Sequence, residues 1–526
     1  MDFSHGDALV LVALLAAAAA LLAIAELIRI PYPIPLVLGG LVLGFVPGMP
    51  QIELPPDIVL VAVLPPLLYG AAFFSPLREL RANVKPIGFL AIGLVLTTTV
   101  AVAAVAHAAI PGLGWSTAFV LGAIVSPTDP TAATAIAQRL GLPRRLVALI
   151  EGESLVNDGT ALVAYKFAVA AVVTGSFSLV TAPARFVLSI AGGILVGLVV
   201  GRGIREVRRR LDNPPVEITI SILSGYFAYL PAEALGVSGV LSAVTVGIYM
   251  GWHTPELTTA QTRLQGVAVW EILFFVLNAF LFTIIGLQLP VILDGLAGYS
   301  TTTLLWYAVL VATTVIAARF AWVFVTAPRL LARRAREGSV PWQPSVVLAW
   351  SGMRGAVSLA AALALPLTTD AGKSFPNREL IVFVTFNVIL ATVVVQGLTL
   401  PKLIRLLRLE DDRWLEEKED TKARIHAAEA ALARLEALAE EDWVREDTAD
   451  RLRRLYEFRR TRFRARLDAG DDGGIEQRSS DYQRLLRELL DAERAAVRSL
   501  RRERRISDEV MRRVERDFDL EELRLE

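Results

Sequence analysis

The stretch SPTDPT, residues 126–131, interrupts an apolar run that begins at Trp115 as WSTAFVLGAIV and resumes as AATAIA. Pro127 and Pro130 cannot both lie inside one regular helix, because each lacks an amide hydrogen and its ring clashes with a carbonyl one turn earlier. The run is long enough to enter a bilayer, yet its middle frees backbone groups around an acid, Asp129. A second interruption of this kind, SGMRGAVS at 351–358, places Gly352, Arg354 and Gly355 within the apolar run from Trp342. Irregular backbone at membrane depth is tolerated only where it is buried in protein or lines a polar cavity. The ends of such half helices present unpaired amides and carbonyls to a bound ion.

Outward from these breaks, apolar runs of roughly 17 to 26 residues recur as far as Ile404, each able to cross about 30 Å of hydrocarbon. The apolar share of 54% is concentrated there. About thirteen segments are expected, starting near residues 7, 33, 57, 84, 115, 145, 186, 213, 236, 266, 302, 342 and 380. The first follows the acidic MDFSHGD and reads as a retained span rather than a signal peptide. One set of alternate loops holds seventeen basic residues, Arg144, Arg145 and Arg208 to Arg210 among them; the other holds three, Arg185, Lys373 and Arg378. Positive charge marks the cytoplasmic side, so the N-terminus is expected outside and the C-terminal tail inside the cell membrane. Thirteen segments divide into six, a linker and six of opposite orientation, an inverted repeat in which the fifth segment of each half is the broken one. The expected fold is therefore an all-α polytopic membrane protein: two inverted six-helix repeats with broken crossing helices over residues 1–405, then a cytosolic helical tail over 406–526.

Charges at membrane depth are costly and each marks a functional hypothesis. EGESLVND at 151–158 puts Glu153 and Asn157 four apart on one helix face, with Ser154 and Asp158 four apart beside them. Carboxylates, an amide and a hydroxyl are the oxygen donors that hard alkali cations take, with Thr128 nearby as a further donor. Asp129, ahead of a half helix, either fixes the helix crossing or binds the ion. Arg354 needs a buried anion, and Glu153 is its expected partner, leaving Asp158 uncompensated. Lys166, Glu271 and Arg319 also fall within spans; Glu271 and Arg319 could pair, and Lys166 could snorkel to the interface. The chain has no cysteine, which excludes disulfides and thiolate chemistry.

SPTDPTAATAI, EGESLVNDGTALV and SGMRGAVSLAAALALP, in this order and on these segments, resemble the monovalent cation/proton antiporter family of the NhaP and NHE type, in its bacterial branch. The resemblance implies that Asp158 takes cation and proton alternately, with Thr128 and Ser154 as neighbouring Na+ or K+ ligands. It implies that Asp129, Asn157, Glu153 and Arg354 organise the site, with Glu153 paired to Arg354. It implies a homodimer whose six-helix core moves against a dimer domain, with no cofactor beyond the transported Na+ or K+ and H+. The chain departs from the family pattern in LPPLLYGAAF, where Gly70 stands in place of an acid that many relatives carry. Asn157 stands where related antiporters with two adjacent acids carry the first, so exchange is expected to be one-for-one and electroneutral.

Thirty of the 53 basic residues lie in the last 125 positions, where acidic residues balance them, which argues against a nucleic-acid partner. The tail has helical spacing, a hinge expected at GDDGG, 470–474, and no motif naming a ligand. Competing readings are a transporter of another cation-coupled solute, a channel, or a membrane-bound sensor signalling through the tail. No nucleophile-and-base pair points to an enzyme.

Overall fold

The computed structural model describes residues 31–46, 58–175, 182–296, 298–331, 342–409, 413–467 and 475–522, with a few isolated positions before residue 31. Among these residues the structure is helical, with one isolated antiparallel bridge between Thr368 and Ser374. A helix starts close to each expected segment start from residue 33 onward. The segment expected from residue 7 and the hinge at 470–474 lie outside the described residues.

The elements that frame the site are α1 (Pro33–Gly44), α2 (Leu64–Phe74), α3 (Val84–Ala109), α4 (Trp115–Val125), α5 (Thr131–Leu140) and α6 (Arg144–Thr174). They are followed by α7 (Ala182–Arg208), α8 (Pro214–Ala234), α9 (Gly239–Leu257), α10 (Ala260–Leu287) and α11 (Thr301–Leu331). Next come α12 (Trp342–Trp350), α13 (Ala356–Leu363) and α14 (Arg378–Leu407). Among the described residues, six helical stretches are long and apolar enough to cross a bilayer: Val84–Ala109, Arg144–Thr174, Pro183–Arg208, Ala260–Leu293, Thr301–Thr326 and Arg378–Leu407.

Between lipid-facing helices water supplies no hydrophobic drive, so close packing of small residues holds them together. Helices α1 and α10 illustrate it. A Cβ on Gly40 would lie 2.1 Å from the Thr283 carbonyl oxygen, and one on Gly286 2.2 Å from that of Val37, so the two backbones touch where they cross.

Of three buried apolar clusters among the described residues, two flank the breaks. Val102, Ile124, Phe282, Ala356, Leu359 and Phe386 belong to one, and Leu68, Ala132, Ile136, Leu149, Leu348 and Met353 to the other. Each broken run changes cluster at its break: α4 packs in the first and α5 in the second, α12 in the second and α13 in the first. The polar stretches 126–130 and 351–355 are thereby held between two dry cores.

The chain divides into two compact units, Met1–Asp411 and Asp412–Glu526. The second contains helices Arg413–Leu438, Glu446–Leu467, Ile475–Arg502 and Asp508–Glu522. Exposed ion pairs such as Arg464–Glu429 (2.5 Å) and Arg498–Glu515 (3.2 Å) lace it together; pairs of this kind are individually weak.

Candidate functional site

The two breaks touch. The backbone N–H of Asp129 donates to the carbonyl of Met353 at 2.8 Å, joining the first interruption to the second. The N–H of Thr131, at the start of α5, donates to Asp129 Oδ1 at 2.8 Å, so the acid sits at the positive end of that half helix. Gly355 lies against the same carboxylate: a Cβ there would fall 1.8 Å from Asp129 Oδ2.

On α6, Glu153, Ser154, Asn157 and Asp158 are all buried. The Asn157 amide donates to Thr128 Oγ1 at 2.7 Å, and that hydroxyl lies 3.2 Å from Glu153 Oε1 and 3.3 Å from Ser154 Oγ. Thr128 from the first break and Glu153, Ser154 and Asn157 from α6 thus form one polar network.

The pairing of the arginines corrects an expectation. Glu153 meets Arg319 of α11 through both carboxylate oxygens, the Nη2–Oε2 contact being 2.9 Å, with the two side chains 2% and 1% exposed. Arg319 also donates from Nη2 to the carbonyl of Leu348, near the end of α12, at 2.9 Å. Glu153 therefore does not pair with Arg354. Arg354, equally buried, donates from Nε to the carbonyl of Val125 at 3.1 Å, from Nη1 to the carbonyl of Gly352, and from its backbone N–H to Thr392 Oγ1 at 3.1 Å. The physical reason is that a half helix ends in unpaired carbonyls carrying partial negative charge, which satisfy a guanidinium without a carboxylate. Arg354 serves the end of α4 and Arg319 the end of α12. Nor does Arg319 pair with Glu271, which is exposed. Lys166 binds Glu233 of α8 at 2.6 Å.

Asp158 is 9% exposed and makes no hydrogen bond or ion pair with any described residue. It lines a cavity of about 450 Å³, together with Thr128, Asp129 and Ser154. Thr131, Thr134 and Gln138 of α5, Asn278 of α10, Ser358 of α13 and a second α6 carboxylate, Glu151, line it too. In sequence, Glu151 is distinguished only by standing seven residues, two turns, before Asp158 on one helix face. Gly70 forms part of the apolar wall, where a Cβ would lie 2.4 Å from Phe274 Cζ and 2.6 Å from Trp270 Cζ3. Aromatic rings of α10 occupy the space an acid at that position would need.

An unpaired carboxylate among hydroxyls, carbonyls and amides, at the meeting of two broken helices, can hold one small cation or one proton. The comparisons with known proteins agree with that chemistry. Residues 10–406 match the sequence model of the family described as sodium/hydrogen exchanger, transmembrane. An uncharacterized Na+/H+ exchanger of Mycobacterium tuberculosis is 38% identical over 528 residues, covering 98% of this chain and 96% of the relative. A sodium, potassium, lithium and rubidium/H+ antiporter of Bacillus pumilus is 36% identical over 406 residues, covering 74% of this chain and 60% of that protein. The fold is similar to that of the sodium proton antiporter MjNhaP1 from Methanocaldococcus jannaschii, with TM-score 0.61 and 20% identity over 76% of this chain and 99% of that one. The motifs and a family match over most of the chain lead to one conclusion: the chain belongs to the sodium/hydrogen exchanger family, and is a multi-pass membrane antiporter of monovalent cations and protons rather than an enzyme.

Proposed function

We propose that the chain exchanges Na+ or K+ for H+ one-for-one, by alternating access, with Asp158 binding cation and proton in competition. One observation carries this reading: Asp158 is buried, faces the cavity between the breaks and has no partner among the described residues. Desolvation makes the bare carboxylate unfavourable, so it accepts either a proton or an alkali cation, and not both at once. Thr128 and Ser154 supply the adjoining oxygens. If only an occupied site crosses the membrane, a cation moved one way is answered by a proton moved the other.

Asn157 cannot titrate, and Glu153 is held by Arg319. A single exchanging group remains, which supports electroneutral exchange. The Bacillus pumilus relative, named for four alkali cations, supports a site that takes Na+ and K+ alike. The same reading includes thirteen spans in two inverted halves, an outside N-terminus, a cytoplasmic tail, and residence in the cell membrane as a homodimer; the charge alternation of the loops supports the orientation.

The test is proton flux in proteoliposomes holding a pH gradient, followed with a fluorescent dye as Na+, K+, Li+ or choline is added. Dequenching by alkali cations and not by choline, unchanged when voltage is clamped, is expected of the wild type. Asp158→Asn, which keeps size but cannot titrate, is expected to lose at least about nine-tenths of the flux while still eluting as folded protein. Full activity in that variant sinks the reading.

A further inference from the structure

The cavity has a second carboxylate that the exchange chemistry does not use. Glu151 is half-buried and makes no hydrogen bond or ion pair with any described residue. Glu151, Ser154 and Asp158 follow one another along one stripe of α6, and Thr131, Thr134 and Gln138 form a matching stripe on α5. Exposure is greatest at one end of this track: Gln138 is exposed, Glu151, Thr131 and Thr134 are half-buried, and Ser154 and Asp158 are buried. The cavity therefore opens at the end where α5 gives way to α6, beside Arg139 and Arg144, which is the cytoplasmic end in the orientation read from the loop charges. A further sign that it holds a polar occupant is Ser358, a cavity-lining residue 1% exposed whose hydroxyl finds no partner among the described residues.

We propose that Glu151 is the cytoplasmic access carboxylate of the exchanger: it draws the alkali cation into the cavity mouth and hands it past Ser154 to Asp158. The proposal rests on the antiport reading of Asp158. The two carboxylates are two helical turns apart, about 10 Å along the axis. That is too far to share one ion, and close enough in a cleft with apolar walls for one negative charge to raise the cation concentration at the other. Glu151 does not itself exchange the proton, so its charge sets how readily the site fills and leaves the turnover of the filled site alone. A structural carboxylate would have a partner; this one lines the cavity and has none among the described residues.

The absence of cysteine makes the test direct. In everted membrane vesicles, whose cytoplasmic face is outward, the Na+ and K+ concentrations for half-maximal exchange are measured for wild type, Glu151→Asp, Glu151→Gln and Glu151→Cys. The Gln and Cys variants are expected to need about three- to tenfold more cation, with maximal rates within about twofold of wild type, and Asp to restore most of the difference. Added choline chloride is expected to narrow the gap by screening. The single cysteine is expected to react with impermeant methanethiosulfonates from the cytoplasmic face. The sulfonate reagent should bring the half-maximal concentration back down, and the trimethylammonium reagent should push it higher.

Unchanged half-maximal concentrations in Glu151→Gln would overturn the proposal, as would equal effects of the two reagents, no reaction from that face, or lost maximal rate with unchanged cation requirement. Failure of the antiport reading looks different: wild type shows no alkali-dependent proton flux, or Asp158→Asn keeps it.

Discussion

Glu153 and Arg319 hold each other through two hydrogen bonds with almost no access to solvent. Removing one partner of such a pair strands a buried charge, at a cost of about 3–5 kcal/mol. Arg319→Ala is therefore expected to lower the melting temperature of the detergent-purified protein by at least about 5 °C. Combining it with Glu153→Gln should recover part of the loss, because the stranded charge is gone. Losses that simply add would remove the pair from the account. The carboxylates are legible in the sequence, since Asp129, Glu153 and Asp158 stand out in apolar surroundings. Their pairing is not: spacing along α6 says which residues share a face, but not which of two distant arginines that face meets. Arg319 reads as an isolated charge in α11, and Arg354, next to the motif glycines, attracts the pairing that Arg319 makes. Glu151 escapes a reading by spacing because its proposed role depends on a cavity wall contributed by α5, α10 and α13.

At the scale of elements, the breaks at 126–130 and 351–355 are legible because proline and glycine are the residues that interrupt a helix inside an apolar run. The contact between them is not, because it depends on what the glycines leave out. Gly355 has an extended backbone that any residue could adopt, so its identity is a matter of space: a methyl would sit on the Asp129 carboxylate. Gly355→Ala should push Asp129 off the Thr131 N–H and cut exchange by at least about tenfold, against a wild-type rate for Gly203→Ala, where a Cβ meets nothing within 4 Å. Flux measured side by side in vesicles decides it, and equal rates for the two variants would show that the close approach at Gly355 is dispensable. The helix starts from α1 to α14 follow the apolar periodicity closely, since in lipid every backbone group must be satisfied within its own segment.

Across the whole membrane unit, the buried ion pair and the carbonyl-bound arginine have a consequence for how exchange stays coupled. Around the breaks, inward of Glu151 at the half-buried mouth, stand two arginines, Arg319 and Arg354, and three carboxylates, Asp129, Glu153 and Asp158. The half-helix ends contribute partial charges of both signs that offset one another. With all three carboxylates ionised, the empty assembly carries one surplus negative charge, and a single proton or a single alkali cation cancels it. Either loaded form is neutral and free to move through the low dielectric; the unloaded form is charged and held back. Under the proposed exchange, parity of charge would then prevent idle strokes without a separate gate. Asp129→Asn reverses the parity by making the empty form neutral. Its proton-loaded and cation-loaded forms then carry the surplus charge and are held back, so that variant is expected to lose most of the alkali-driven proton flux in proteoliposomes. Flux at the wild-type rate in Asp129→Asn would mean that the brake on the empty carrier lies in its shape.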